Sequence, residues 1–146
     1  MSCIMKKVLV INNHIEEPVR TKLQSKMGDG FTLTYVEDIA SYDTEGNPTV
    51  MKEIEDSEFL VYGILDGAGL PFVKWVLDEG IRLGKRIVAV YVFTLVVKIP
   101  AEIESYSDAI VSIESPAFGT AIAGGGVFEE PDMSPKPSRT IKRTEC

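Results

Sequence analysis

The chain has 146 residues, enough for one domain and too few for two full ones. Its 45% hydrophobic and 25% charged residues are the balance of a folded globular protein, which excludes a disordered chain. The 15 Lys and Arg against 22 Asp and Glu leave a net charge of −7. That argues against nucleic acid as a partner, since such binding rests on neutralised phosphates.

Strand and helix signals alternate along the chain. Lys7 to Asn12 is a continuous apolar run, the mark of a strand buried on both faces. Ile15, Val19, Leu23 and Met27 follow at spacings of four and line one face of a helix, which Gly28 to Gly30 stops. Phe31 to Val36 alternates apolar and polar residues, so it predicts an edge strand. A polar loop with Asp43, Gly46, Asn47 and Pro48 leads into a short helix over Thr49 to Ile54. Phe59 to Leu65 reads as the third strand, Asp66 to Gly69 as a glycine-rich break, and Leu70 to Leu83 as a helix ended by Gly84. Arg86 to Phe93 is the fourth strand, rich in β-branched residues, and Pro100 to Tyr106 has room for one or two helical turns. Asp108 to Ile113 predicts a short fifth strand, and Pro116 to Ala123 a last helix with Pro in its first turn. Gly124 to Gly126 then closes the compact part, in a domain drawn as residues 1–128 with a Pro-containing basic tail over 129–146.

Five strands alternating with helices predict an α/β, flavodoxin-like three-layer domain. Its five-stranded parallel sheet has the order 2-1-3-4-5, with helices on both faces. Such sheets take ligands beyond the carboxyl ends of their strands, where the strand order reverses. That places Asn12, Asn13 and His14 after strand one opposite Asp66, Gly67, Ala68 and Gly69 after strand three. The glycine-rich loop can turn backbone N–H groups and a helix N-terminus toward an anion, or simply serve as a tight strand-to-helix turn. A phosphoryl-accepting receiver would need acidic residues where Asn12 and Asn13 stand, because amides bind hard cations poorly. The pocket is therefore expected to prefer a nucleotide over a divalent metal, and no Cys/His spacing suggests a metal site. On the helix after that loop, Phe72, Trp75, Val76 and Glu79 share a face. A carboxylate there, beside an aromatic, can stabilise positive charge developing on a ribose, or sit at the wet rim of the apolar stripe.

The two cysteines, Cys3 and Cys146, stand at the two ends and form no disulfide framework. Met1 to Lys7 lacks the apolar core of a signal peptide, and the apolar stretch Ile87 to Val97 is far below the roughly 20 residues that span a bilayer. The expectation is a cytoplasmic protein without a membrane partner.

The run Phe59 to Val92 resembles the TIR-like domains of the Thoeris antiphage-defence type. The resemblance rests on Phe72-Val-Lys-Trp-Val-Leu and on Gly84-Lys85 leading into Arg-Ile-Val-Ala-Val-Tyr. Ile99-Pro100, Asp108-Ala-Ile-Val and Ala121-Ile-Ala-Gly are weaker echoes, and Leu65-Asp66-Gly67 is similar to a loop of nucleoside deoxyribosyltransferase-like folds. Catalytic members of the TIR group cleave NAD between nicotinamide and ribose with a Glu on this helix. Counted back from Gly84-Lys85, the corresponding position here is Val76; aligned on Trp75, it is Glu79. The resemblance implies a nucleotide-binding or assembly module in a prokaryotic defence or signalling system, without efficient NAD cleavage. Its ligand would be NAD or an ADP-ribose derivative, held by Asn12, Asn13, His14, Asp66, Gly67, Gly69 and Trp75, and its partners a homo-oligomer or a defence-system protein. The alternative is an NAD glycohydrolase or cyclase in which Glu79 is catalytic and the product is an ADP-ribose-type signal.

The tail contains Pro131, Pro135 and Pro137, and its end carries Lys136, Arg139, Lys142 and Arg143. That basic end, Lys136 to Arg143, is opposite in sign to the otherwise acidic chain. The tail is expected to be either solvated or an extended arm on its own or a neighbouring subunit, with Ile141 as anchor and Cys146 as a free thiol.

Overall fold

The computed structural model describes residues 6–11, 16–38, 46–64, 70–92, 104–130 and 132–135. In chain order these form β1 (Lys6–Ile11), α1 (Glu17–Met27), β2 (Phe31–Tyr35), a 3-10 turn (Val36–Asp38), α2 (Pro48–Asp56) and β3 (Phe59–Ile64). There follow α3 (Leu70–Arg82), β4 (Arg86–Tyr91), β5 (Ala109–Ser112) and α4 (Phe118–Ile122). The sheet is five-stranded and all parallel, in the order β2-β1-β3-β4-β5. This is the predicted flavodoxin-like arrangement.

The burial of each strand follows its composition. β3 is buried at every position, and β1 and β4 at all but their first one or two, because helices cover both faces of the sheet centre. β2 is buried only at Tyr35 and stays at least partly exposed along the rest of its length, as an edge strand does. One face is packed by α1 and α4 against Val8, Val10, Val61, Val88 and Val111. The other is packed by α2 and α3 against Leu9, Ile11, Leu60, Tyr62 and Ile87.

Local chemistry sets the helix ends. α1 has Pro18 in its first turn, Glu17 near its positive end and Lys26 near its negative end, and Gly28 ends it at φ +96°. α2 starts at Asn47, whose side-chain oxygen accepts from the amides of Thr49 (2.9 Å) and Val50 (3.1 Å). Asp108 ties the amino ends of β4 and β5 together: its carboxylate accepts from the amide of Ile87 at 2.8 Å, while its own amide donates to the Ile87 carbonyl at 2.7 Å.

Three details differ from the sequence reading. The last helix begins at Phe118 rather than Pro116, because residues 116–117 form a turn in which the Ser115 hydroxyl accepts from the Ala117 amide at 3.0 Å. Of the expected helix over Pro100 to Tyr106, residues 100–103 lie outside the described residues, and Glu104 to Ser107 close a single turn (3.1 Å). The triple glycine does not end the sheet. Beyond it the chain returns to the free side of β5: the Ile110 amide donates to the Val127 carbonyl (2.7 Å), and the Glu129 amide donates to the Ile110 carbonyl (2.9 Å). Glu129 fixes this added segment, accepting from the Ser115 hydroxyl (2.8 Å) and the Ser112 amide (3.3 Å). Glu129 also bridges Pro135, with a turn at Asp132 to Ser134 between them. Residues 136–146 lie outside the described residues.

Candidate functional site

The switch point of this sheet lies between β1 and β3, whose neighbours on the far sides are β2 and β4. Ile11 and Ile64, the last residues of β1 and β3, are buried, so the chain leaves the core there at the carboxyl edge. The segments expected to line the pocket follow these two residues directly. Asn12, Asn13 and His14, and Asp66, Gly67 and Gly69, lie outside the described residues. What is described is the floor beneath them and the helix beside them.

That helix is α3, which begins at Leu70 on the carboxyl edge and runs back toward the amino ends of the strands. Trp75 sits about 7.5 Å along its axis and Glu79 about 13.5 Å, at 1.5 Å per residue. Trp75 is half-buried, packing against the core and against Phe72 with ring centroids 5.9 Å apart. The apolar side of the helix, Phe72, Val73, Val76 and Leu77, is buried. Trp75 is therefore in the half of α3 nearer the carboxyl edge.

Glu79 is elsewhere. Its neighbour Gly80 lies against Leu60, the second residue of β3: a Cβ placed on Gly80 would fall 2.5 Å from Leu60 Cδ1. This puts Glu79 level with the amino end of the sheet, opposite to the switch point. Its carboxylate accepts from Arg82 Nε at 2.8 Å, with Arg82 Nη2 at 2.7 Å. The fold thus holds Trp75 and Glu79 on one helix, with Trp75 in the half nearer the carboxyl edge and Glu79 level with the amino end of the sheet.

Two groupings carried no local sequence signal. Tyr91 ends β4 beside Ile64 of β3, one strand away from the switch point. Burial, helped by the charges of Glu130 and Glu104, pushes its phenol up to about 12. The second grouping lies on α1 and β2. Arg20 stacks over the Tyr35 ring at 4.0 Å and grips Asp38 through two nitrogens at 2.7 and 3.1 Å, holding that carboxyl below its usual range.

Among the described residues no three Asp, Glu, His or Cys side chains gather to hold a metal ion. No described helix is long and apolar enough to cross a membrane. No family model matches the sequence, and none of the curated proteins does.

Proposed function

We propose that this chain is a TIR-like nucleotide-binding or assembly module of a prokaryotic defence or signalling system, which takes NAD or an ADP-ribose derivative without efficient cleavage. The sheet order supports the location of the ligand, because it puts a switch point between β1 and β3. Asn12, Asn13 and His14 would bind polar ligand groups there, and the amides of Asp66 to Gly69 would face a phosphate at the start of α3. Trp75, toward that end of the helix, would supply a flat apolar surface for a base.

The position of Glu79 carries the non-cleaving half of the reading. A carboxylate that stabilises charge on a ribose must stand within a few ångströms of it. Glu79 stands at the amino end of the sheet and is engaged by Arg82. The family position counted from Gly84-Lys85 is Val76, which is fully buried and has no carboxylate.

Incubation of the purified protein with NAD, following free nicotinamide, tests this directly. The expected result is no release above the uncatalysed rate, with saturable binding of ADP-ribose by calorimetry. Release that disappears in Glu79→Gln would replace this reading with the glycohydrolase. Tight magnesium binding that depends on Asp66, without any response to ADP-ribose, would replace it with a metal site.

A further inference from the structure

The two edges of the sheet are treated differently. The β5 edge is covered by Val127 to Glu129, and that segment in turn bridges Pro135. The β2 edge has no such cover among the described residues, and its sequence, Phe-Thr-Leu-Thr-Tyr, has none of the Lys, Pro or bulge devices that blunt an open strand. The Lys6 amide donates to the Gly30 carbonyl at 2.9 Å, so the parallel ladder turns Gly30, Thr32 and Thr34 toward β1. Phe31 and Leu33 then face outward. Gln24 Nε2 donates to the Phe31 carbonyl at 3.0 Å, which leaves the Leu33 N–H and C=O along the open edge.

Beside this edge runs a groove of about 520 Å³ between α1 and β2. Leu33 and Tyr35 contribute from the strand, and Glu17, Thr21 and Ser25 from the helix. Arg20 and Asp38, paired with each other, stand at the same end as Glu17. Glu17 is exposed and makes no ion pair among the described residues. The groove therefore offers one apolar strip, one backbone donor and acceptor, and an acidic end.

Residues 138–144, Ser-Arg-Thr-Ile-Lys-Arg-Thr, have the complementary pattern. In an extended strand Arg139, Ile141 and Arg143 share a face. Ile141 would lie against Leu33, which is only partly buried, while Tyr35 beside it is buried under the Arg20 guanidinium; either strand direction would bring one of the two arginines to the Glu17 end. The segment after Pro135 carries four basic residues and Glu145, a net +3 on a chain whose total is −7.

Reach decides which molecule supplies the strand. From Pro135 to the β2 edge of its own sheet there are six strand spacings, about 29 Å at 4.8 Å each. Six residues from Pro135 to Ile141 extend at most about 22 Å. Ile141 falls short of its own groove. We propose that residues 138–144 of a second copy of this chain add as a strand to the open edge of β2, with Ile141 in the α1–β2 groove. This contact is independent of the nucleotide reading and lies away from the switch point.

The contact is heterologous, tail to groove, so complementation tests it. Two full-length variants are made: Ile141→Asp, which spoils the tail, and Glu17→Lys/Thr21→Lys, which spoils the groove at two exposed helix positions. Native mass is measured for the parent chain, each variant alone and the equimolar mixture of variants. The parent is expected at twice the 16.1 kDa chain mass or more. Each variant alone is expected at the chain mass, and the mixture at twice it, because one good tail then meets one good groove. Raised salt should weaken the parent's association by about tenfold or less, since only one or two charge contacts are screened. A monomeric parent at high micromolar concentration would overturn the proposal. So would association that survives Ile141→Asp, which would indicate β2-to-β2 pairing of two copies. A mixture that stays monomeric would equally overturn it.

Discussion

At the scale of the residue, Tyr91 shows how a core position becomes sensitive to pH. Its ring lies in the core on the α3 face, while its phenol faces low polarity and two carboxylates, so the neutral form is favoured in the folded state. A raised phenol pKa contributes stability that is complete below the ordinary value of 10.0 and is lost as the pH climbs to about 12. Unfolding should release a proton from this group in that window. Tyr91→Phe is expected to lower the proton release on unfolding near pH 11 by about one, measured from the pH dependence of denaturant stability. An unchanged slope would show that the phenol is already solvated in the folded protein. The Arg20–Asp38 pair works in the opposite sense: the depressed carboxyl favours the fold above its ordinary range and loses that contribution in acid.

At the scale of the element, two side chains hold segments in place, and each can be removed alone. Asn47→Ala deletes the cap of α2 and should cost about 1 kcal/mol in urea or guanidinium denaturation. A cost near zero would mean that Pro48 alone starts the helix. Glu129→Ala removes the acceptor that joins Val127–Glu129 to the Ser112–Ser115 corner. It should speed hydrogen exchange at the Ile110 and Glu129 amides by about tenfold while leaving the Val61 and Val88 amides unchanged, a local opening rather than a global one. Equal acceleration everywhere would contradict this. These elements also show what the sequence made legible. The apolar runs of β1, β3 and β4 identify the sheet centre, and the alternation of β2 identifies its edge, because burial on two faces or one writes itself into strand composition. The return of Val127 to Glu129 was hidden: after three glycines it has only two apolar residues, and its anchoring is a carboxylate reaching serines 14 and 17 positions away. Arg20 and Asp38 are 18 residues apart and were equally silent. Helical spacing correctly grouped Phe72, Trp75, Val76 and Glu79, but a shared face carries no information on depth. Only the contact of Gly80 with Leu60 shows that Glu79 is level with the amino end of the sheet, away from the switch point.

At the scale of the whole molecule, the two proposed contacts fall on different parts of the sheet. The proposed small ligand belongs at the carboxyl edge between β1 and β3, and the proposed second chain at the β2 edge on the rim of the sheet. At the amino edge Glu79 and Arg82 pair with each other. This division makes the central claim local: a nucleotide should touch one end of the sheet and not the other. The most direct measurement is an amide chemical-shift titration of the isotope-labelled protein with ADP-ribose. The account predicts saturable shifts at Ile11, Ile64, Phe72 and Val73, with Glu79 to Arg82 unmoved. Shifts centred on Glu79 to Arg82, or none at any residue up to millimolar ligand, would contradict it.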